Sequence, residues 1–196
     1  MHRILNIAGN ENNNVDLIEH PKADFIFITS VKADINIISD LIEDKEFLLF
    51  QDNFRALEIS NLNTFAQIDN YFLKTINYAK IVVLRLFGDK GTWSYGLEQL
   101  IKWKEVNLNK TLLILSGTDE EDLSLNELSS VDLDTSLKIS KLLKSGGKEN
   151  YRRFLYCLSY LSSNETNIPQ KYISNVSYPD PYQYDWKNEK GLKVGI

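Results

Sequence analysis

Apolar residues recur along the chain in two alternating patterns, one typical of buried strands and one typical of amphipathic helices. Continuous apolar runs at 25–29 (FIFIT), 81–86 (IVVLRL) and 111–115 (TLLIL) have the composition of strands covered on both faces. Between the runs, apolar positions are three or four residues apart, as on one face of a helix. This alternation predicts right-handed crossovers. We therefore predict an α/β domain with a Rossmann-like or flavodoxin-like open, mostly parallel sheet and helices on both faces.

Side chains that can satisfy free backbone groups predict several helix ends. Asp34 is a candidate N-cap for the first helix. Thr64 and Gln67 have the spacing of a capping box, and the apolar stripe after them predicts a helix that reaches Ala79. Gly146 has the position of a left-handed residue that ends a later helix.

The remaining elements are predicted from shorter patterns. Residues 4–8 are predicted to form an edge strand, and 47–50 and 56–60 to form short extended pieces. Helices are predicted to begin at about Leu97 and near Lys148.

The composition changes after Ser162, where three of the four prolines occur among several tyrosines. This predicts one domain over 1–163 and a Pro/Tyr-rich linker over 164–196 that docks through aromatic side chains. Residues 192–196 (LKVGI) have the pattern of an opening strand. We therefore expect the chain to be a fragment that enters a missing following domain.

Charge and composition exclude several classes of protein. The net charge of −5 argues against non-specific nucleic-acid binding, which requires a basic face. No apolar run approaches the length of about 18 residues that a membrane span needs. There is one cysteine and no leader-like N-terminal segment, so we expect a cytoplasmic protein without an internal disulfide.

Residues suited to catalysis or metal binding are scarce. The two histidines, His2 and His20, lie near one end, and Cys157 lies on the apolar face of a helix, where a core thiol is expected. The acidic run at 119–122 lacks the spacing and glycine of a calcium loop. We predict no catalytic residue and no metal ligand in this chain.

The turn after the 81–86 run is the most distinctive segment, because open α/β sheets bind ligands where a strand leads into a helix. Its glycines match neither a Walker A loop nor a dinucleotide loop. One hypothesis is that a surface meets a flat or anionic partner, with basic groups for charge and aromatic rings for stacking, and that it is lined by Arg85, Lys90, Trp93 and Tyr95. The alternative is that Trp93 and Tyr95 fill the sheet edge while glycines permit tight turns. The candidate substrate-binding or interface residues are Arg85, Gly88, Trp93, Tyr95 and Gly96.

Four stretches carry a resemblance to a known family. They are 23–34 (ADFIFITSVKAD), 61–62 (NL) with the helix after it, 82–100 (VVLRLFGDKGTWSYGLEQL) and 146–155 (GGKENYRRFL). In order and spacing they resemble the amino-terminal region of CobN, the large subunit of ATP-dependent aerobic cobaltochelatase, whose family includes the magnesium chelatase H subunit. Asp89 stands where the family usually has a glycine, and Ser94 where it usually has a proline.

The resemblance implies a role within a larger enzyme. The complete protein would insert Co²⁺ into a corrinoid substrate, hydrogenobyrinic acid a,c-diamide. The AAA+ partner subunits CobS and CobT would hydrolyse ATP with Mg²⁺, and the remainder of the large subunit would handle the metal. This segment would bind no cofactor and would be structural or ring-guiding.

Two alternatives stay open at this point. The chain could be the amino-terminal region of a magnesium chelatase H subunit acting on protoporphyrin. It could also be a free-standing flavodoxin-like module that holds a nucleotide at the 88–96 edge.

Overall fold

The computed structural model describes residues 17–118, 123–163, 168–174 and 176–177 of the chain. The predicted edge strand at 4–8 and the predicted strand at 192–196 lie outside these residues.

Four parallel strands form one sheet: β1 (Phe25–Thr29), β2 (Phe54–Glu58), β3 (Ile81–Leu86) and β4 (Thr111–Ser116). Their order is β2-β1-β3-β4, and every neighbouring pair is parallel. The three continuous apolar runs are β1, β3 and β4, which are buried except at half-buried Thr111. The predicted α/β fold with a parallel sheet is therefore confirmed.

Helices connect and cover these strands. Within the described residues they are α1 (Lys32–Ile42), α2 (Phe65–Lys74), α3 (Ser94–Val106), α4 (Leu123–Asn126), α5 (Leu133–Ser145), α6 (Lys148–Ser162) and α7 (Gln170–Ile173). Single 3₁₀ turns lie at Lys45–Phe47, Ile59–Asn61 and Ile76–Tyr78.

Alternate strand residues point into two separate hydrophobic cores, one on each face of the sheet. Phe27 and Val83 face the core formed with α1, α5 and α6. Ile28 and Leu84 face the core formed with α2 and α3. Because both faces are covered, residues 25–28 of β1 and 81–84 of β3 are all apolar, and this explains the uninterrupted runs in the sequence.

The capping box that the sequence predicts at the start of α2 is present. Thr64 Oγ1 accepts a hydrogen bond from the Gln67 amide, and Gln67 Oε1 accepts one from the Thr64 amide at 3.0 Å. The helix ends at Lys74 and does not reach Ala79. A 3₁₀ turn then carries Ile76 to the same core, so the apolar spacing persists beyond the end of the helix.

The other differences from the predicted elements have local causes. The prediction of extended backbone at 47–50 is wrong, because a 3₁₀ turn followed by further turns brings the rings of Phe47 and Phe50 to 6.1 Å. Helix α3 begins at Ser94, one turn before the predicted start at about Leu97.

Part of the predicted linker packs against α5 and α6, and we call residues 168–174 and 176–177 the strap. Ile168 and Ile173 are buried in the core on the α6 face. The ring of Tyr172 stacks on that of Tyr156 at a centroid distance of 4.4 Å. The domain boundary at 163 stays a prediction, but the strap shares the domain's core.

Candidate functional site at the carboxyl edge of the sheet

The strand order places a topological switch point between β1 and β3. The connection after β1 leads to β2 on one side, and β3 leads to β4 on the other. Open α/β sheets bind ligands in the crevice at such a point, outside the carboxyl ends of the strands. Thr29, the last residue of β1, is paired with Arg85, the penultimate residue of β3.

A buried ion pair fills this crevice. Arg85 Nη1 lies 2.6 Å from Asp34 Oδ1, and the two side chains are 6% and 1% exposed. The Thr29 hydroxyl donates to the other carboxylate oxygen of Asp34 at 2.7 Å, and the Tyr151 hydroxyl donates to Oδ1. The four side chains join β1, α1, β3 and α6.

Two predictions about these residues are therefore wrong. Asp34 is not an N-cap, because α1 begins at Lys32 with Val31 as its N-cap, and the carboxylate points inward to Arg85. Arg85 does not line a surface, because its side chain is buried against Asp34. Their charges neutralise each other inside the domain, so Arg85 offers little to an anionic ligand at this point.

Burial and the neighbouring carboxylate also affect the phenol in this cluster. Burial is the largest cause that raises the pKa of Tyr151 well above its ordinary value, followed by the hydrogen bond to Asp34 and the charge of that carboxylate. Tyr151 is therefore a neutral hydrogen-bond donor at physiological pH. The ion pair and this donor favour a structural role for the cluster, since its buried polar groups bond one another within the domain.

Gly88 permits the turn that follows β3. Its φ of +100° is unfavourable for other residues, and a Cβ atom there would lie 2.3 Å from Thr92 Oγ1. The next residues, Asp89 and Lys90, are exposed. Gly88 therefore shapes the loop and contributes no side chain to it.

Trp93 and Gly96 form a packed unit at the start of α3. The Trp93 ring is buried, and its Nε1 donates to the Leu62 carbonyl at 3.1 Å. A Cβ atom on Gly96 would lie 2.2 Å from Cζ2 of that ring. Trp93 thus links the segment before α2 to the start of α3. This packing agrees with the alternative prediction that Trp93 fills the sheet edge.

Tyr95 is the predicted site residue whose side chain reaches the surface. Its ring lies 4.4 Å from that of Phe65, which is 66% exposed, and its hydroxyl donates to Asp69 at 2.7 Å. That hydrogen bond is the main cause of the raised pKa of Tyr95. The two rings border a shallow groove of about 220 Å³ that Gly91 also lines. We call Phe65, Tyr95 and this groove the aromatic surface.

The structure therefore separates the five predicted site residues into two groups. Arg85, Trp93 and Gly96 are buried, and they hold the edge together. Gly88 and Tyr95 lie at or near the surface. An interface role for the set stays a prediction. Phe65 belongs to the apolar stripe that predicts α2, and that pattern gives no sign that its ring is exposed.

Neither a reactive thiol nor a metal-binding cluster is found among the described residues. Burial raises the pKa of the Cys157 thiol to about 12. Among the described residues, no group of three or more His, Cys, Asp or Glu side chains is placed to hold a metal ion. No helix in the described ranges has the length and apolar character to cross a membrane.

Comparison with known proteins gives two curated relatives and one solved structure. The chain is 30% identical to the aerobic cobaltochelatase subunit CobN of Pseudomonas aeruginosa over 111 residues, which are 55% of this chain and 9% of the relative. It is 26% identical to CobN of a Sinorhizobium species over 175 residues, which are 87% of this chain and 13% of the relative. No family model matches the chain.

The solved structure is the catalytic subunit of cobaltochelatase from Mycobacterium tuberculosis. It superimposes with a TM-score of 0.51 at 22% identity, over 72% of this chain and 10% of that subunit. This likeness supports the α/β fold. The chain thus spans about a tenth of the length of the curated relatives that it matches. The resemblance to the CobN family that the sequence motifs predict is confirmed, because this chain is similar to a segment of aerobic cobaltochelatase CobN subunits.

Proposed function

We propose that this chain is a domain of a cytoplasmic cobaltochelatase large subunit that inserts Co²⁺ into hydrogenobyrinic acid a,c-diamide during cobalamin biosynthesis. The observation that carries this proposal is the similarity to two CobN subunits over 55% and 87% of the chain. In the complete enzyme, the AAA+ subunits CobS and CobT would hydrolyse ATP with Mg²⁺. The remainder of the large subunit would hold the metal.

Within that enzyme the domain is structural and ring-guiding, and it does not perform the insertion itself. Insertion needs groups that desolvate the metal ion and accept the protons released from the ring. The charged groups at the switch point, Asp34 and Arg85, neutralise each other in the interior. These features favour a domain that positions other parts of the enzyme.

The aromatic surface is the part of the domain best suited to meet the ring. Phe65 and Tyr95 present apolar ring area beside an open groove, and a tetrapyrrole offers a wide, flat, apolar face. The Tyr95–Asp69 hydrogen bond fixes one of the two rings, which lowers the entropy lost on binding.

The ring-guiding role can be tested in the complete large subunit. The double substitution Phe65→Ala and Tyr95→Ala is expected to weaken binding of hydrogenobyrinic acid a,c-diamide about tenfold in an absorbance titration, because two stacking contacts are lost. The control is Leu73→Ala, which removes a side chain that is 63% exposed on the same helix. Equal affinity in both variants would contradict ring guiding.

The assignment to a large subunit has separate tests. Reading the gene beyond codon 196 is expected to show a long open reading frame, and a stop codon at that point would contradict the assignment. Titration of the complete subunit with the corrinoid and with protoporphyrin separates the cobalt enzyme from the magnesium enzyme. Preference for protoporphyrin would overturn the choice of substrate and leave the ring-guiding role in place.

A further inference from the structure

The two outer strands of the sheet, β2 and β4, differ in how their free edges are bonded. At β4, Ser129 Oγ accepts from the Ile114 amide at 2.8 Å and donates to the Ile114 carbonyl at 3.1 Å. Ser130 Oγ makes the same two bonds with Leu112, at 2.9 and 3.2 Å. The outward backbone groups of these two β4 residues are therefore satisfied within the domain.

At the opposite edge, the register of β2 determines which of its backbone groups face outward. Phe25 pairs with Phe54, and the Phe25 amide donates to the Asn53 carbonyl at 3.1 Å. Backbone groups alternate between the two sides of a strand. Phe54, Ala56 and Glu58 therefore direct their amides and carbonyls away from β1, to the outside of the sheet.

Only part of this outward row is bonded. Arg55 Nη1 donates to the Phe54 carbonyl at 2.8 Å, and Asn61 Nδ2 donates to the Glu58 carbonyl at 3.2 Å. Among the described residues, no hydrogen bond from another segment reaches the amide or the carbonyl of Ala56. An unpaired amide and carbonyl on an edge strand form a template for a further strand.

A groove of about 350 Å³ lies beside this edge, on the face of the sheet that α1 covers. Ile35 and Ile42 of α1 line it and are half-buried, and Phe54 and Ala56 line it from β2. The helix thus presents apolar surface beyond the last strand. Peptides that add a strand to a sheet gain affinity from main-chain hydrogen bonds and specificity from pockets for alternate side chains. The β2 edge offers both.

The charges beside the groove are acidic. Glu43 directly follows α1, and among the described residues that line the groove it is the one with a charge. Glu58 directs its side chain to the same face of the sheet as Ala56, because side chains alternate along a strand. Arg55 lies on the other face, and its guanidinium donates to backbone carbonyls. Because the crossover helix runs antiparallel to the strands, Glu43 lies toward the start of β2 and Glu58 at its end.

We propose that the β2 edge binds an extended segment of a partner polypeptide in which an apolar side chain has a basic side chain two positions away on each side. The segment forms backbone hydrogen bonds with Ala56, places its apolar side chain in the groove and pairs its basic groups with Glu43 and Glu58. A second copy of the chain does not fit this description. Antiparallel pairing of two β2 strands about Ala56 brings Glu58 of each copy to the Glu43 end of the other, where like charges repel.

Amide hydrogen exchange in the 196-residue chain tests this site with a synthetic peptide. The probe is acetylated and amidated TKTITKT, which carries the pattern in both directions, and TETITET is the control of opposite charge. Saturating TKTITKT is expected to slow exchange of the Ala56 amide at least about tenfold, while the Leu57 amide, which faces β1, changes little.

Three results of this experiment would overturn the proposal. The first is an Ala56 amide that exchanges equally with and without TKTITKT. The second is equal protection by TETITET, because the acidic residues would then select nothing. The third is an Ala56 amide already protected in the peptide-free chain, because another segment or a second copy would then cover the edge. Sedimentation of the peptide-free chain distinguishes those two occupants.

Substitutions separate the contribution of charge from that of the backbone. Glu43→Lys is expected to weaken TKTITKT binding about fivefold in calorimetry, because an attraction becomes a repulsion. Glu105→Lys makes the same charge change at an exposed position of α3 and should leave the affinity unchanged. Equal affinity of these two variants would contradict the proposed pairing.

Ala56→Pro removes the outward amide and leaves the pairing with β1, since an edge strand tolerates proline where its N–H faces solvent. It should weaken TKTITKT binding about tenfold through the lost hydrogen bond. Unchanged exchange of the Leu57 amide establishes that the sheet is intact. A folded Ala56→Pro chain that binds as tightly as the parent would overturn the proposal, and the Glu43→Lys comparison decides it if this variant does not fold.

Discussion

Arg85, near the end of the central strand β3, and Asp34, in the first turn of α1, form an ion pair of 2.6 Å with both side chains buried. The Thr29 and Tyr151 hydroxyls satisfy the remaining carboxylate positions. A buried pair contributes little net stability when both charges are present, because both have lost their hydration. Loss of one partner leaves an uncompensated charge in the interior.

Asp34→Asn is therefore expected to lower the free energy of unfolding by about 3–5 kcal/mol. Replacing both residues, as Asp34→Leu with Arg85→Met, should cost clearly less than the single change, because no charge is left buried. Glu98→Gln breaks the exposed Lys102 pair as a control and should cost no more than about 0.5 kcal/mol. Urea unfolding measures all three. A cost for Asp34→Asn as small as for Glu98→Gln would contradict this account.

Gly96→Ala tests the contact between Trp93 and α3. Alanine favours a helix over glycine by about 1 kcal/mol, but its Cβ would lie 2.2 Å from the Trp93 ring. We expect the clash to dominate and to lower the free energy of unfolding by about 1–3 kcal/mol, with a shift in tryptophan fluorescence. Gly91→Ala is the control, because its Cβ would meet only the movable end of Asp89 at 3.1 Å. A stabilised Gly96→Ala protein would show that the ring moves away at little cost.

The sheet could be predicted from the sequence because each central strand is buried on both faces and so leaves a continuous apolar run. The turn chemistry of Gly146 could also be predicted, since a positive φ at the end of a helix favours glycine. Both signals are local. They lie within a few residues of the feature that they determine.

The site could be predicted only in part, because its decisive contacts join distant segments. Arg85 and Asp34 are 51 residues apart, and neither residue identifies the other in the sequence. Tyr151 lies 117 residues from the carboxylate that it contacts. The sequence alone therefore predicts that Arg85 lines the binding surface. Phe65 was missed for a related reason: its position in an apolar stripe predicts burial, whereas the ring packs on Tyr95 at the surface.

His20 provides a prediction about pH. Its Nδ1 lies 2.9 Å from the Tyr71 hydroxyl, and burial, followed by the charge of Arg55, lowers its pKa below the ordinary value of 6.5. The unfolded chain then binds more protons than the folded chain just below that value. The free energy of unfolding should decrease as the pH falls through about 6.5, and the loss should be complete once the pH is below the folded pKa. Denaturant titrations at several pH values measure this slope.

His20→Gln keeps a polar side chain near Tyr71 and removes the titration, so it is the matched control for this slope. Acidic residues contribute equally to the pH dependence of both proteins. The difference between the two curves of unfolding free energy against pH therefore reports the titration of His20. The free energy of unfolding of the parent chain should fall relative to that of His20→Gln as the pH decreases through about 6.5. A constant difference across the range would contradict a lowered pKa.

The strap provides the last prediction, on where the domain ends. A chain cut after Ser163 loses Ile168, Ile173 and the Tyr172 ring that stacks on Tyr156, whereas a chain cut after Ser177 keeps them. Burial of two isoleucines and most of a tyrosine, less the entropy of ordering the strap, amounts to roughly 2–4 kcal/mol. The shorter chain should therefore unfold at a lower urea concentration, and Ile173→Ala in the longer chain should account for part of the difference. Equal stability of the two chains would place the boundary at 163, and the strap would then be a linker that rests on the domain without stabilising it.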